Sequence, residues 1–148
     1  MTEITRATLH DADEVARLFD LYRQFYECEP DYPLAQRFIT ERLRNDESIV
    51  FVARQADQSV GFVQLYPSFC SVEAIRIFIL YDLFVDASVR NAGIGRDLMN
   101  RASDYCRSEG ARRVDLLTAH SNAAGQHLYE SLGYEKTNQD FFAYSLAL

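Results

Sequence analysis

Residues 80–96 read LYDLFVDASVRNAGIGR, and this stretch decides the fold. Its apolar, aromatic-rich part predicts a strand that ends near Val85, and a short polar loop with Arg90 follows. Gly93 and Gly95 then stand at the start of an amphipathic helix. A strand, a glycine turn and a helix N-terminus together present backbone N–H groups and partial positive charge, which suits a phosphate or pyrophosphate. A Gly-x-Gly pattern also marks ordinary turns, so this stretch alone leaves both interpretations open.

The composition is that of an ordinary globular protein. The chain has 148 residues, 48% of them hydrophobic and 25% charged, and we expect a single domain over residues 1–148. No window offers the ~18 consecutive apolar residues that a membrane helix needs, and the N-terminus lacks a signal-peptide pattern. Three widely spaced cysteines fit no metal-ligand pattern. They favour a cytoplasmic protein with reduced thiols and no metal site.

Charge is distributed unevenly along the chain. Residues 90–113 carry a net charge of +3 and the remainder −10, within a total of −7. The overall acidity argues against general nucleic-acid binding. A basic segment in an acidic protein suits a phosphorylated ligand at one place and a cationic ligand at another. In the acidic stretch 26–32, Tyr26, Glu29 and Asp31 are candidates to bind a cationic substrate, and the alternative is a solvated loop between two helices.

Hydrophobic periodicity predicts strands and helices along the whole chain. The predicted strands cover residues 3–8, 48–53, 60–66, 75–85, 114–118, 134–137 and 141–145. The predicted helices cover residues 12–27, 33–45, 94–110 and 122–132. Antiparallel hairpins early in the chain and strand–helix–strand units later predict an α/β (α+β) mixed sheet with helices on both faces.

A second informative stretch, residues 122–134, reads NAAGQHLYESLGY. Asn122 stands where a strand passes into a helix, so it can cap the helix and offer its amide to a ligand. Tyr129 follows about two turns later, near the same side of the helix. Its phenol can protonate a leaving group, whereas many helical tyrosines only pack against their neighbours.

The glycine-turn pattern and the Asn-to-Tyr helix, in this order and at this spacing, resemble the GNAT superfamily of N-acetyltransferases. The likeness covers almost the whole chain, because the strands and helices follow the family's order. Residues 80–85 and 141–144 are similar to the diamine and polyamine acetyltransferase branch. The resemblance implies a GNAT-like fold, whose central, mostly antiparallel sheet splays between its fourth and fifth strands.

The resemblance also implies transfer of an acetyl group from acetyl-CoA, as cosubstrate, to an amine. The strand backbone of Leu83, Phe84 and Val85 would pair with pantetheine, and Asn122 would contact the same arm. Tyr129 would protonate the departing thiolate. The pyrophosphate would be held by the backbone of a loop comprising Arg90, Asn91, Ala92, Gly93, Ile94, Gly95 and Arg96.

The residue that accepts the proton of the amine departs from the family pattern. In the polyamine branch a glutamate on the fourth strand is associated with this task, and Tyr81 occupies the matching position. Asp82 is the nearest carboxylate, so Tyr81 and Asp82 are the candidates. Adjacent residues of a regular strand point to opposite faces, and the two side chains are therefore expected on opposite faces of the sheet.

We therefore expect an N-acetyltransferase that acts on a small cationic amine, since the chain outside residues 90–113 is acidic. The alternatives are acetylation of a protein N-terminus or lysine, and a regulatory module that binds CoA without turnover. A homodimer is expected, because the predicted strands within residues 134–146 expose an edge. No nucleic-acid or membrane partner is expected.

Overall fold

The computed structural model describes residues 1–90 and 92–148. Asn91, expected in the pyrophosphate loop, lies outside the described residues. The chain divides into two compact units, Met1–Leu117 and Thr118–Leu148. Among the described residues, no helix combines the length and the apolar character that crossing a membrane requires.

Among the described residues, the first unit is a five-stranded sheet with three α-helices. Its strands are β1 (Thr2–Arg6), β2 (Ile49–Gln55), β3 (Gln58–Cys70), β4 (Ile75–Val85) and β5 (Arg113–Leu116). Its helices are α1 (Ala12–Phe25), α2 (Tyr32–Arg44) and α3 (Ile94–Ser108). The strands follow one another in chain order across the sheet, and every pairing is antiparallel except the parallel β4–β5 pair. The predicted mixed sheet is confirmed.

Alternation along β2 places helices on both faces of the sheet, as predicted. Val50 and Val52 belong to a buried cluster that includes Leu18 of α1. Phe51, between them, points to the other face and meets the Tyr105 ring of α3 edge-on, with ring centres 5.7 Å apart. The first two helices therefore cover one face, and α3 covers the other.

β4 contains two irregularities. Its register with β3 shifts between the pairs Leu80–Leu65 and Asp82–Gln64, so Tyr81 is the extra residue of a β-bulge. Its parallel pairing with β5 stops at Leu80. Residues 81–85 consequently have no strand partner on that edge among the described residues, and the sheet opens where the resemblance implies.

The second unit contains one helix, α4 (Ala123–Ser131), close to its predicted position. The predicted strands at residues 134–137 and 141–145 are wrong, because residues 132–148 form no helix or strand. Phe141, Phe142 and Tyr144 are largely exposed. Aromatic residues form a strand only where a neighbouring strand supplies hydrogen bonds, and these residues pair with none in the described chain. The homodimer inferred from their edge stays a prediction.

Candidate active site

A cavity of about 380 Å³ lies between α1, α2 and the central strands β3 and β4. Its volume is within the range of small-molecule sites. One carboxyl group and four aromatic rings line it, contributed by Asp82, Phe19, Phe38, Tyr66 and Tyr81. A mostly apolar pocket with one charged group is the arrangement expected for orienting a small ligand.

The β-bulge brings both predicted catalytic residues to this cavity. Tyr81 is 58% exposed and Asp82 only 6%, yet the two side chains line the same space. The expectation of opposite faces is wrong, because the extra residue interrupts the regular alternation of the strand. The Tyr22 hydroxyl donates a hydrogen bond to the Tyr81 carbonyl oxygen at 2.9 Å and ties the bulge to α1.

Asp82 ends a buried chain of hydrogen bonds. The Gln64 side-chain amide donates to Asp82 Oδ2, and the Ser48 hydroxyl donates to Gln64 Oε1 at 2.7 Å. Gln64 is fully buried, and Ser48 is nearly so. Sequence reasoning missed both residues. The signal was a single amide within the apolar run 60–66, because a buried amide requires polar partners.

Burial shifts the acidity of this carboxyl group toward neutrality. Desolvation raises the pKa of Asp82 to about 6, and the hydrogen bond from Gln64 offsets part of that effect. Burial, followed by the nearby charge of Asp82, raises the pKa of Tyr66 to about 12. Near pH 7 the Asp82 carboxylate can thus accept a proton while the Tyr66 phenol keeps its own.

The N-terminus of α3 has the geometry expected of a phosphate-binding turn. Gly93 has φ +80°, which favours glycine, and a Cβ added there would meet no atom within 4 Å. The first helical hydrogen bond runs from Asp97 N to Gly93 O at 3.1 Å. The amides of Ile94 and Gly95 precede it and so lack an acceptor within the helix. This open, positively polarised turn fits a pyrophosphate.

The remaining predicted coenzyme residues of the first unit surround this turn and the end of β4. The Arg90 side chain donates from Nε to the Val85 carbonyl oxygen at 3.0 Å and lies over the Phe84 ring. Ala92 and Arg96 are exposed beside the turn. Leu83, Phe84 and Val85 belong to the segment of β4 that continues beyond the pairing with β5.

The predicted substrate-binding residues lie elsewhere in the first unit. Tyr26, Glu29 and Asp31 are exposed, and none of them is among the side chains that line the cavity. The Asp31 carboxylate caps α2 by accepting a hydrogen bond from Leu34 N at 3.1 Å. The Tyr26 ring meets Tyr22 edge-on. Their contact with a substrate stays a prediction.

In the second unit, Asn122 caps α4 as predicted. Its Oδ1 accepts a hydrogen bond from Gly125 N at 3.1 Å, and its Nδ2 donates to Thr118 Oγ1 at 3.1 Å. Tyr129 is half-buried, with its ring tilted against that of Tyr134. The roles expected of Asn122 and Tyr129 toward a coenzyme stay predictions.

Several proteins of similar sequence or structure are named acetyltransferases. The model of the Acetyltransferase (GNAT) family matches residues 15–134. The uncharacterized N-acetyltransferase YhfO of Bacillus subtilis is 42% identical over 133 residues, which cover 90% of this chain and 89% of YhfO. A probable acetyltransferase of known structure, 34% identical, superposes with a TM-score of 0.89 over 99% of this chain and 97% of its own. The aminoglycoside N-acetyltransferase AAC(6')-Iy in complex with CoA, 18% identical, shares the fold with a TM-score of 0.84 over 99% of this chain and 96% of its own.

Proposed function

The chain belongs to the GNAT family of acetyltransferases, and we propose that it transfers an acetyl group from acetyl-CoA to the primary amine of a small cationic molecule. The observation that carries this proposal is the buried Asp82 carboxyl group in an aromatic cavity, at the point where β4 parts from β5. Structures of similar fold in complex with CoA and with acetyl-CoA support acetyl-CoA as the cosubstrate.

The coenzyme would bind along β4 and at the start of α3. The amides of Ile94 and Gly95, together with the dipole of α3, would hold the pyrophosphate in the open turn at Gly93. The unpaired edge of residues 83–85 would bond the pantetheine arm, and the family resemblance implies that Asn122 also contacts this arm. Bound acetyl-CoA supplies a thioester carbonyl carbon for attack by an amine.

Asp82 would receive the ammonium group and then take its proton. A free alkylamine has a pKa near that of lysine, about 10.4, so it arrives charged and must lose a proton before it attacks. A carboxylate in a largely apolar cavity attracts the ammonium group strongly and accepts the proton as the new bond forms. Tyr81, at the exposed side of the cavity, would contact the incoming acceptor.

Two further groups complete the proposed mechanism. The backbone N–H of Leu83 or Phe84, on the unpaired edge of β4, would stabilise the oxyanion that develops on the carbonyl. Tyr129 would donate its phenolic proton to the departing thiolate, as the family resemblance implies. A phenol with a pKa near about 10 is a suitable acid for a thiolate whose thiol has a pKa near about 8.5.

The proposal is tested by incubating the full chain with acetyl-CoA and a panel of primary amines, and with peptides that carry a free N-terminus or a lysine. Thiol release and the mass of the product are measured. We expect thiol release with small amines and a 42 Da increase in their mass. Acetylation of the peptides alone would favour a protein acetyltransferase. Binding of CoA without turnover on any acceptor would contradict an enzymatic role.

A further inference from the structure

The walls of the Asp82 cavity consist of two pairs of aromatic rings. Phe19 and Phe38 stack with ring centres 5.3 Å apart, and Tyr66 meets Tyr81 edge-on at 5.3 Å. Because each ring contacts another, the rings restrict one another's motion. Asp82 is the one carboxyl group among the lining residues, so this cavity can neutralise one positive charge.

A cation that packs against the Phe38 ring of this wall is already paired. The Arg42 guanidinium lies 4.4 Å from the centre of the Phe38 ring and forms ion pairs with Glu41 at 3.1 Å and Glu47 at 3.3 Å. One face of the Phe38 ring therefore already carries a cation, and both glutamates are engaged by it. A second ammonium group in the cavity would approach this guanidinium without a carboxylate of its own.

The acidic residues expected to bind a cationic substrate are not part of the cavity lining. Glu29 and Asp31 are exposed and do not belong to the cavity lining, and Asp31 is engaged in capping α2. The nearby Asp20 carboxylate accepts hydrogen bonds from Asp31 N at 2.9 Å and from the Gln24 amide at 3.1 Å. A desolvated ammonium group without a carboxylate partner is strongly disfavoured.

We propose that the acceptor is an amine with a single positive charge and an apolar alkyl or aryl body, rather than a diamine or polyamine. The ammonium group would pair with Asp82, and the apolar body would replace water against the four rings. This inference rests on the function proposed above and adds the class of substrate to it.

The direct test compares hexylamine with hexane-1,6-diamine, which differ only in the second amino group. Steady-state kcat/KM is measured for both with saturating acetyl-CoA, and the diamine value is halved because it offers two amino groups. We expect hexylamine to be preferred by about tenfold or more, because only the diamine brings in a second charge for which the cavity lining holds no carboxylate. An equal rate, or a preference for the diamine, would overturn the inference while leaving the proposed acetyltransferase function intact. Acetylation of neither amine would also overturn the inference, because an apolar amine with one charge would not be accepted, and the panel of amines and peptides would decide the proposed function separately.

Two variants at Tyr81 test the same inference by changing the protein instead of the amine. Tyr81→Glu adds a second carboxylate at the exposed side of the cavity, and Tyr81→Gln adds a side chain of the same size without charge. We expect the ratio of kcat/KM for the diamine to that for hexylamine to rise about tenfold in Tyr81→Glu relative to Tyr81→Gln. An identical ratio in the two variants would argue against charge matching as the basis of selection. If either variant fails to fold, the comparison of the two amines on the unmodified chain decides alone.

Discussion

Asp82 is held between two opposing influences, burial and hydrogen bonding. Burial raises its pKa, and the hydrogen bond from Gln64 favours the charged form and limits the rise. Ser48 in turn fixes the orientation of the Gln64 amide by donating to its oxygen. Gln64 therefore positions the proposed base and adjusts its acidity without lining the cavity.

Replacing Gln64 should change the pH dependence of the reaction. In Gln64→Leu the ionised form of Asp82 loses a donor, so its pKa rises further above about 6. We expect the rising limb of kcat/KM against pH to move upward by about one pH unit or more, since a hydrogen bond to a charged group is worth roughly 1.5–3 kcal/mol. Steady-state kinetics between about pH 5 and pH 9 measures this shift.

Ser48→Ala is the matched control for that prediction. It removes the donor to Gln64 Oε1 but leaves the bond from Gln64 to Asp82, so a smaller shift is expected. A Gln64→Leu protein that is folded and active but retains the original limb would show that Gln64 does not influence the base.

The sequence identified Tyr81 and Asp82 as candidates but not their arrangement. A β-bulge leaves no fixed signature at Tyr81, because the register shift arises from pairing with β3, a strand that is distant in the chain. Gln64 was within reach of sequence reasoning as a lone polar residue in an apolar strand. The hydrogen-bond partners of Gln64 could not be predicted, because Ser48 and Asp82 come beside it only in the folded sheet.

Among the structural elements, the glycine turn before α3 was the most predictable. Its conformation is local, since Gly93 adopts a positive φ and α3 begins at the next residue. The strands predicted for residues 134–137 and 141–145 depended instead on a partner strand, which local alternation does not supply. Local patterns therefore predicted the helices and the glycine turn, whereas the bulge at Tyr81 and the lack of a partner strand for residues 134–145 could not be read from them.

Gly93→Ala tests the turn as a coenzyme-binding element. The new Cβ meets no atom within 4 Å, so its effect is backbone strain at φ +80°, roughly 1–2 kcal/mol, and a distorted turn. We expect the affinity for CoA, measured by titration calorimetry, to fall by about tenfold or more, because the backbone amides of Ile94 and Gly95 would no longer point at the pyrophosphate.

Gly110→Ala provides a control with the same kind of strain. Gly110 follows the end of α3 with φ +78°, and an added Cβ there likewise meets nothing within 4 Å. Both variants should lose similar thermal stability, and only Gly93→Ala should lose affinity for CoA. Equal affinities for CoA in the two variants would show that the turn at Gly93 does not take part in coenzyme binding.

At the scale of the whole molecule, the buried Asp82 lowers stability at neutral pH. Its folded-state pKa of about 6 exceeds the ordinary value of 3.8, so the folded protein holds this proton more tightly than the unfolded chain. The resulting stabilisation is complete below about pH 4 and is lost as the pH rises through 6. Family membership and the mixed sheet were predictable from sequence. The loss of stability caused by ionised Asp82 was not, because it depends on how deeply the folded protein buries this side chain.

The Asp82→Asn protein should therefore become more stable relative to the unmodified protein at pH values where the Asp82 carboxyl group of the latter is ionised. Relative to the unmodified protein, its free energy of unfolding should rise by roughly 2–3 kcal/mol between pH 4 and pH 8, which is most of the equivalent of the shift in pKa. Urea denaturation at both pH values measures the difference. A constant difference at the two pH values would mean that Asp82 titrates normally.

The same variant gives the most direct test of the central claim that Asp82 accepts the proton of the amine. The measurement is kcat/KM for acetylation of hexylamine by acetyl-CoA, from about pH 5 to pH 9, in the unmodified protein and in Asp82→Asn. We predict a rising limb near pH 6 in the unmodified protein, and in the variant a rate at pH 8 lower by on the order of 10²-fold or more, without that limb. A folded Asp82→Asn protein with an unchanged rate and an unchanged profile would contradict the account.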